Sequence, residues 1–225
     1  MKSFLKLTTT VLLGATLLSA ASDAPKRLQA SANAFKDVMG TPDKAIPQEL
    51  LNKAQCIVIV PDMKKGAFIV GGKFGRGFFS CRHMNGVGWS APASVRIEGG
   101  SVGFQIGGSE MDLFMLVMNG RGVERLLGDK FTIGADATAA AGPVGRETTA
   151  QTDARMTAEI LTWSRARGLF AGVALNGATL REDTEWNLEL YGKRLTNQEI
   201  VTGNIPAPKA ASPLMAELDR YSGRK

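Results

Sequence analysis

The stretch GGKFGRGFFSCR, residues 71–82, sets glycines, Lys73, Arg76 and Arg82 close together, the material of a loop that could wrap a phosphate. Upstream, Gly66, Gly71, Gly72 and Lys73 come within one residue of the phosphate-cradling pattern G-x-x-x-x-G-K-[ST]. The spacing is off by one, and the position after the lysine is Phe74, which offers no hydroxyl to magnesium. Nucleotide binding is therefore set aside. Gly99, Ser101 and Gly103 match the G-x-S-x-G turn of a hydrolase nucleophile, but that chemistry needs a histidine downstream of the serine. The single histidine, His83, lies upstream, so Gly99–Gly103 is read as a glycine-rich hairpin between two strands. One histidine and two cysteines at these spacings make no zinc set, and no pairing of carboxylates points to general acid chemistry. The sequence speaks against a familiar enzyme and implies no cofactor.

What remains is positive charge at turns. Lys64 and Lys65 are expected in one hairpin turn, Lys73 and Arg76 in the next, and Arg165 and Arg167 beside a late hairpin turn. Such pairs either meet an anion or simply keep the surface soluble. Arg146, in the small-residue run GPVGRE, either clamps an anion together with backbone N–H groups or pairs with a carboxylate such as Glu147 or Asp112.

Lys2 and Lys6, an apolar run from Val11 to Leu18, and small residues at Ala20 to Ser22 read as a secretory leader, with cleavage expected after Ala21. The run is well short of the roughly 20 apolar residues that span a bilayer. No cysteine sits at the junction for lipid attachment. The formal charge of +6 falls by two with the leader, a mildly basic balance without the clustered stripes of a nucleic-acid binder. The compartment expected is periplasmic or secreted. In an exported chain Cys56 and Cys81 are expected to pair. Two alternatives stand beside pairing: buried free thiols, or strands of a simple meander that hold the cysteines ~10 Å apart across a third strand, beyond disulfide reach.

The elements follow from pattern. Over residues 25–39, Leu28, Ala32, Phe35, Val38 and Met39 share one helical stripe, with Lys26, Asn33, Lys36 and Asp37 opposite. Pro47 opens a second, short helix. From Cys56 the texture is short β-branched and aromatic runs bounded by glycine and proline: CIVIVP, a turn at PDMKKG, AFIVGG, GRGFFSCR, and a turn at MNGVG. WSAPASVRIEGG, VGFQIGG and MDLFMLVM continue it. Residues 120–127 are expected to be a short helix. TAEILTWSRARG and LFAGVALNGATL form a hairpin turning near 166–168, and helices return at REDTEWNLELYG and NQEIVTG. This predicts one α+β domain, residues 22–203, with a curved, mainly antiparallel, half-barrel-like sheet flanked by short helices. Residues 204–225 read as a flexible tail, with at best a brief terminal helix.

Six blocks, AQCIVIVPDMKKGAFIVGGKFGRGFFSCR, GWSAPASV, GGSVGFQIGG, AAAGPVGRETTAQTDA, EILTWSRARGLFAGVALNG and WNLELYG, occur in an order that resembles the SYLF domain family, the actin-regulator family related to yeast Las17-binding proteins. The resemblance covers about residues 26–203. It implies a lipid-binding domain without known catalysis: phosphoinositide binding in eukaryotic members through an N-terminal amphipathic basic helix, and actin binding in some fungal ones. Carried to this chain, it implies an anionic phospholipid surface met by Lys26, Arg27, Lys36 and Phe35, with Lys64, Lys65, Arg146, Arg165 and Arg167 as further basic contacts. The alternative partner is an envelope protein. The same helix stripe could instead pack on the sheet, and one face cannot do both.

Overall fold

The computed structural model describes residues 23–41, 45–67, 70–83, 86–102, 107–145, 157–166 and 168–222. The leader, Arg146 and Arg167 lie outside them.

The first helix, α1 (Asp23–Met39), forms where the apolar stripe predicts it. Leu28, Ala32, Phe35 and Val38 are buried along that stripe. Its first turn receives a carboxylate from elsewhere in the fold, since the Ala24 N–H donates to Glu189 Oε1 at 3.0 Å, which satisfies one of the free donors of a helix start. Helix α2 (Gln48–Lys53) follows Pro47.

Four long strands form the centre of the sheet: β1 (Cys56–Ala67), β2 (Val70–Cys81), β3 (Ala93–Val102) and β4 (Gly107–Val117). β3 pairs with β2 and β4 with β1, so the β1–β2 hairpin is nested between the other two. Helix α3 (Gly120–Leu127) starts on Asn119, whose side chain accepts the Gly122 N–H. Then come β5 (Lys130–Thr132), β6 (Ala139–Ala141), β7 (Ile160–Ala166), β8 (Leu169–Gly172) and β9 (Ala178–Glu182). Among the described residues the sheet order is β5-β9-β3-β2-β1-β4-β7-β6, with β8 on β7; β6 and β7 run parallel and the other pairs antiparallel. Helices α4 (Thr184–Tyr191), α5 (Asn197–Thr202) and α6 (Ser212–Ser222) complete the chain. The fold is α+β, a curled sheet with short helices, in one domain.

The curled sheet buries both faces. On one, Ile57, Ile59, Phe78, Phe114 and Trp163 pack with α1, α4 and α6. On the other, Val58, Val60, Met63, Phe79 and Met115 pack with Leu126 of α3 and Ile200 of α5.

Two expectations give way here. PDMKKG is not a turn: β1 runs through it, and VGGKFGRGFFSC is one strand rather than two. The pairing register of β1 shifts by one residue against β2 between Ile59 and Lys64, and against β4 between Val60 and Met63, so a β-bulge at Pro61–Asp62 takes the place of the turn. Asp62 has φ 48°, a left-handed conformation that Asp tolerates. Pro61 and Asp62, with Gly66 four residues on, mimic a hairpin signal, but here Pro61 and Asp62 serve the bulge. Lys64 and Lys65 therefore stand on β1, and Lys73 and Arg76 on β2. Gly99 and Ser101 likewise lie within β3, with Ser101 in register with Gly71, and not at the strand-to-helix turn that a nucleophile elbow requires.

The second correction is the tail. Residues 209–222 form a 3-10 turn and α6, whose Leu214 and Leu218 are buried in the same core as α1. The prolines at 206, 208 and 213 signal a linker by composition, yet Pro213 sits in the first turn of α6, where its missing N–H costs nothing.

Cys56 and Cys81 are directly opposed on β1 and β2 and joined by a disulfide. The strands are neighbours, so the separation across a third strand does not arise.

Two substitutions check this packing by chemical denaturation. Leu218→Ala should cost roughly 2–5 kcal/mol, the loss for a buried leucine, whereas in a flexible tail it would cost nothing. A Cβ on Gly77 would stand 2.1 Å from Ile59 O and 2.7 Å from Val60 Cα, so Gly77→Ala should destabilise by at least about 1–3 kcal/mol.

Candidate functional site

The bulge decides where the basic residues of β1 point. Side chains alternate along a strand, and one inserted residue exchanges the faces beyond it. Met63 consequently joins the α3-side core, while Lys64 turns to the side of α1, level with Phe74 on β2 and Glu110 on β4.

There it meets the first turns of α1. A groove of about 500 Å³ is lined by Lys26, Arg27, Lys64, Phe74, Arg76 and Trp186, and also by Asp23 and Asp62. Arg27 Nη1 donates to Pro61 O at 2.9 Å and to Asp62 Oδ2 at 3.0 Å, fastening α1 to the bulge. Arg76 stacks its guanidinium over the Trp186 ring at 4.9 Å, and Trp186 stacks in turn on Phe78 at 5.7 Å. Arg76 Nε lies 3.0 Å from Asp183 Oδ2, and Arg76 Nη2 donates to Glu185 at 3.1 Å. Asp183 is the N-cap of α4 and is 1% exposed. Burial raises its carboxyl above the usual carboxylate value, and the facing Arg76 charge only partly offsets this.

Arg27 and Arg76 are thus fixed by carboxylates, and the loosely held charge belongs to the lysines. Lys26 makes no hydrogen bond or ion pair among the described residues. Lys64 reaches Glu110 only at 3.9 Å, with both side chains largely exposed, a pair worth little in water. In the same groove Phe74 is 49% exposed, one of few large apolar side chains at the described surface.

The other expected lipid contacts do not gather here. Phe35 and Leu28 are both 0% exposed. The Phe35 ring meets Tyr221 of α6 edge-on at 5.8 Å, so the apolar stripe is committed to the core and is not a membrane-inserting face. Lys36 is exposed near the other end of α1. Arg165, on β7, donates to Asp112 and Asp37 at 2.9 and 2.8 Å. Burial acts against its charge, but these partners hold its pKa above the usual arginine value. Lys65 points to the opposite face of the sheet from Lys64.

Phe74, Arg76 and Trp186 were not among the expected contacts. Strand alternation would have found the first two, since Lys64 and Phe74 are in register and Arg76 lies two positions on, but only with β2 read as one strand. Nothing local in TEWNLELY marks Trp186 as a groove wall.

A family model described as Ysc84, Las17-binding protein actin regulator, matches residues 98–221. The chain belongs to the Ysc84 family. It is 36% identical over 182 residues to human SH3 domain-containing YSC84-like protein 1, covering 80% of this chain and 53% of that protein. Identity to the Xenopus laevis protein of that name is 36% over 183 residues, again 80% of this chain and 54% of the relative. Against Protein YSC84 of Saccharomyces cerevisiae it is 31% over 181 residues, 79% of this chain and 38% of the relative. The chain thus spans about half the length of the animal relatives and less of the yeast one. The Ysc84 match runs to residue 221, so α6 belongs to the family's domain, as its buried leucines already indicate.

Phe35→Ser separates core from surface. It should lower stability by roughly 3–5 kcal/mol, as large-to-small changes of a buried aromatic do. A variant of unchanged stability would place the ring outside the core.

Proposed function

We propose that this Ysc84-family chain is an exported, non-enzymatic lipid-binding protein, held peripherally at an envelope membrane by anionic phospholipid in the α1-side groove. One observation carries the reading. Lys26 from α1 and Lys64 from β1, distant in sequence, line one groove with the half-exposed Phe74 ring and with Arg27 and Arg76, which carboxylates hold in place. Cations and an aromatic face in one groove suit a phosphate headgroup above the start of its acyl chains.

The magnitudes describe weak, salt-sensitive adsorption. Each lysine near an anionic surface contributes roughly 1 kcal/mol. Placing the exposed half of Phe74 in the interface adds about 1 kcal/mol. Export rests on the leader pattern of residues 1–21. The non-enzymatic reading rests on the missing downstream histidine and the strand position of Ser101.

The family description favours a second reading, because it names a protein, Las17, as what is bound. On that reading the groove takes an acidic segment of an envelope protein and lipid plays no part.

Sedimentation with phosphatidylcholine vesicles, with and without phosphatidylglycerol, distinguishes the two. The lipid reading expects binding only to the anionic vesicles, falling as salt rises. Replacing Lys26 and Lys64 together by Gln should weaken it about tenfold or more, and Phe74→Ser should remove the salt-resistant remainder. Equal binding to both vesicle types, or none to either, overturns the lipid reading.

A further inference from the structure

One buried carboxylate beside the groove does two things at once. Asp183 caps α4, and its Oδ1 accepts the Trp186 N–H, the bond that starts the helix. Its Oδ2 lies 3.0 Å from Arg76 Nε, yet the two are not aligned as donor and acceptor, and neither atom has a hydrogen-bond partner. The contact is one of charge alone. Arg76 is kept at the groove wall by a different surface, the Trp186 ring on which its guanidinium stacks.

The surrounding elements set the charge balance. Asp183 feels Glu185 from its own helix, Arg76 from β2 and Arg96 from β3. Arg96 and Arg181 of β9 share Glu98, at 3.5 and 3.4 Å. The neighbouring Glu182 is engaged elsewhere, accepting the Asn197 N–H of α5 and facing Glu199. Across the groove α1 brings Asp23, Lys26 and Arg27, of which Arg27 is taken by Asp62. Arg76 thus meets two carboxylates, the buried Asp183 and Glu185, whose side chain is 76% exposed. It offers the groove no net positive charge. Glu185 alone would hold it weakly, since an exposed pair is worth little in water. Burial favours the uncharged form of Asp183, and the Arg76 charge, the Trp186 N–H and the Arg96 charge offset only part of this. Asp183 therefore takes up a proton at higher pH than an ordinary aspartate.

We propose that Asp183 is a proton-operated latch on Arg76: ionised, it keeps the guanidinium charge in reserve, and protonated, it releases Arg76 to the phosphate of a headgroup in the groove. The latch rests on the lipid reading of the groove and adds its regulation. Oδ2 is the oxygen that takes the proton from water, because Oδ1 is tied to the Trp186 N–H and keeps capping α4. Helix and ring stay where they are, so the released guanidinium stays at the groove wall. There its planar fork suits a phosphate better than a lysine does. Adsorption strengthens as the water turns mildly acidic.

The test uses the full chain with and without lipid. Without lipid, the NMR signals of the Asp183 carboxyl carbon and of Arg76 Nε should shift in step on acidification, at a pH above that of ordinary aspartates. With phosphatidylglycerol vesicles at fixed salt, binding should be about fivefold tighter at about pH 5 than at about pH 7, the worth of one added cation at an anionic surface. Asp183→Asn keeps the cap, because asparagine caps a helix as well as aspartate, and should bind at about pH 7 as the parent binds at about pH 5. Arg76→Gln should lose the gain on acidification. Signals that move in step in a parent chain that binds no vesicle at either pH support the latch and count against the lipid reading. Signals that do not move in step overturn the latch, and so does Asp183→Asn binding at about pH 7 no tighter than a parent that does bind.

Discussion

The bulge at Pro61–Asp62 is the constraint from which the surface chemistry of the domain follows. One inserted residue exchanges the two faces of β1 beyond it, placing Met63 in the core, Lys64 beside α1 and Lys65 opposite Lys73. The insertion is held from several directions. The Asp62 N–H donates to Asp112 Oδ1 at 3.0 Å, and Arg27 donates to Pro61 O. Asp112 is itself clamped by Arg165, whose guanidinium also reaches Asp37 of α1. The bent strand comes so close to β2 that Gly77 has no room for a side chain, and a Cβ on Gly75 would lie 2.7 Å from Val60. Two of the glycines that give the GGKFGRG run its phosphate-loop look are therefore there for backbone approach.

Helix α1 meets two demands with its two faces. Its apolar stripe packs between the sheet and α6, and its polar N-terminal turns rim the groove. Lifting Leu28 and Phe35 out of the core to insert them in a membrane exchanges one apolar surrounding for another, with ~1.5–3 kcal/mol per side chain on each side of the balance. The transfer gains nothing and forfeits the packing of Tyr221 and Leu218. Adsorption through the assembled groove keeps both.

Local pattern carried much of this architecture. Stripe spacing located α1, proline placement located α2, and the short apolar runs with a turn near 167 located the β7–β8 hairpin. The failures share a cause. PDMKKG has the residues of a turn, and only the register of β2 and β4 on either side shows it to be a bulge. The prolines before α6 have the composition of a linker, and only burial against α1 makes that segment structural. The groove joins α1, β1, β2 and α4, so its members become neighbours through packing across sequence separations that no spacing rule reads. Family resemblance pointed to the N-terminal helix, whose Lys26 and Arg27 line the groove, while the fate of Phe35 depended on which face the sheet would claim.

Hydrogen exchange of the full chain, with and without phosphatidylglycerol vesicles, addresses the central claim most directly. Membrane contact through an assembled groove predicts slower exchange at amides 62–64, at 74–76 and around 186, with α1 from Ala32 to Met39 and α6 from Leu214 to Leu218 unchanged. Faster exchange in those parts of α1 and α6 on adding vesicles would mean that the helix leaves the core to insert, and would contradict the account.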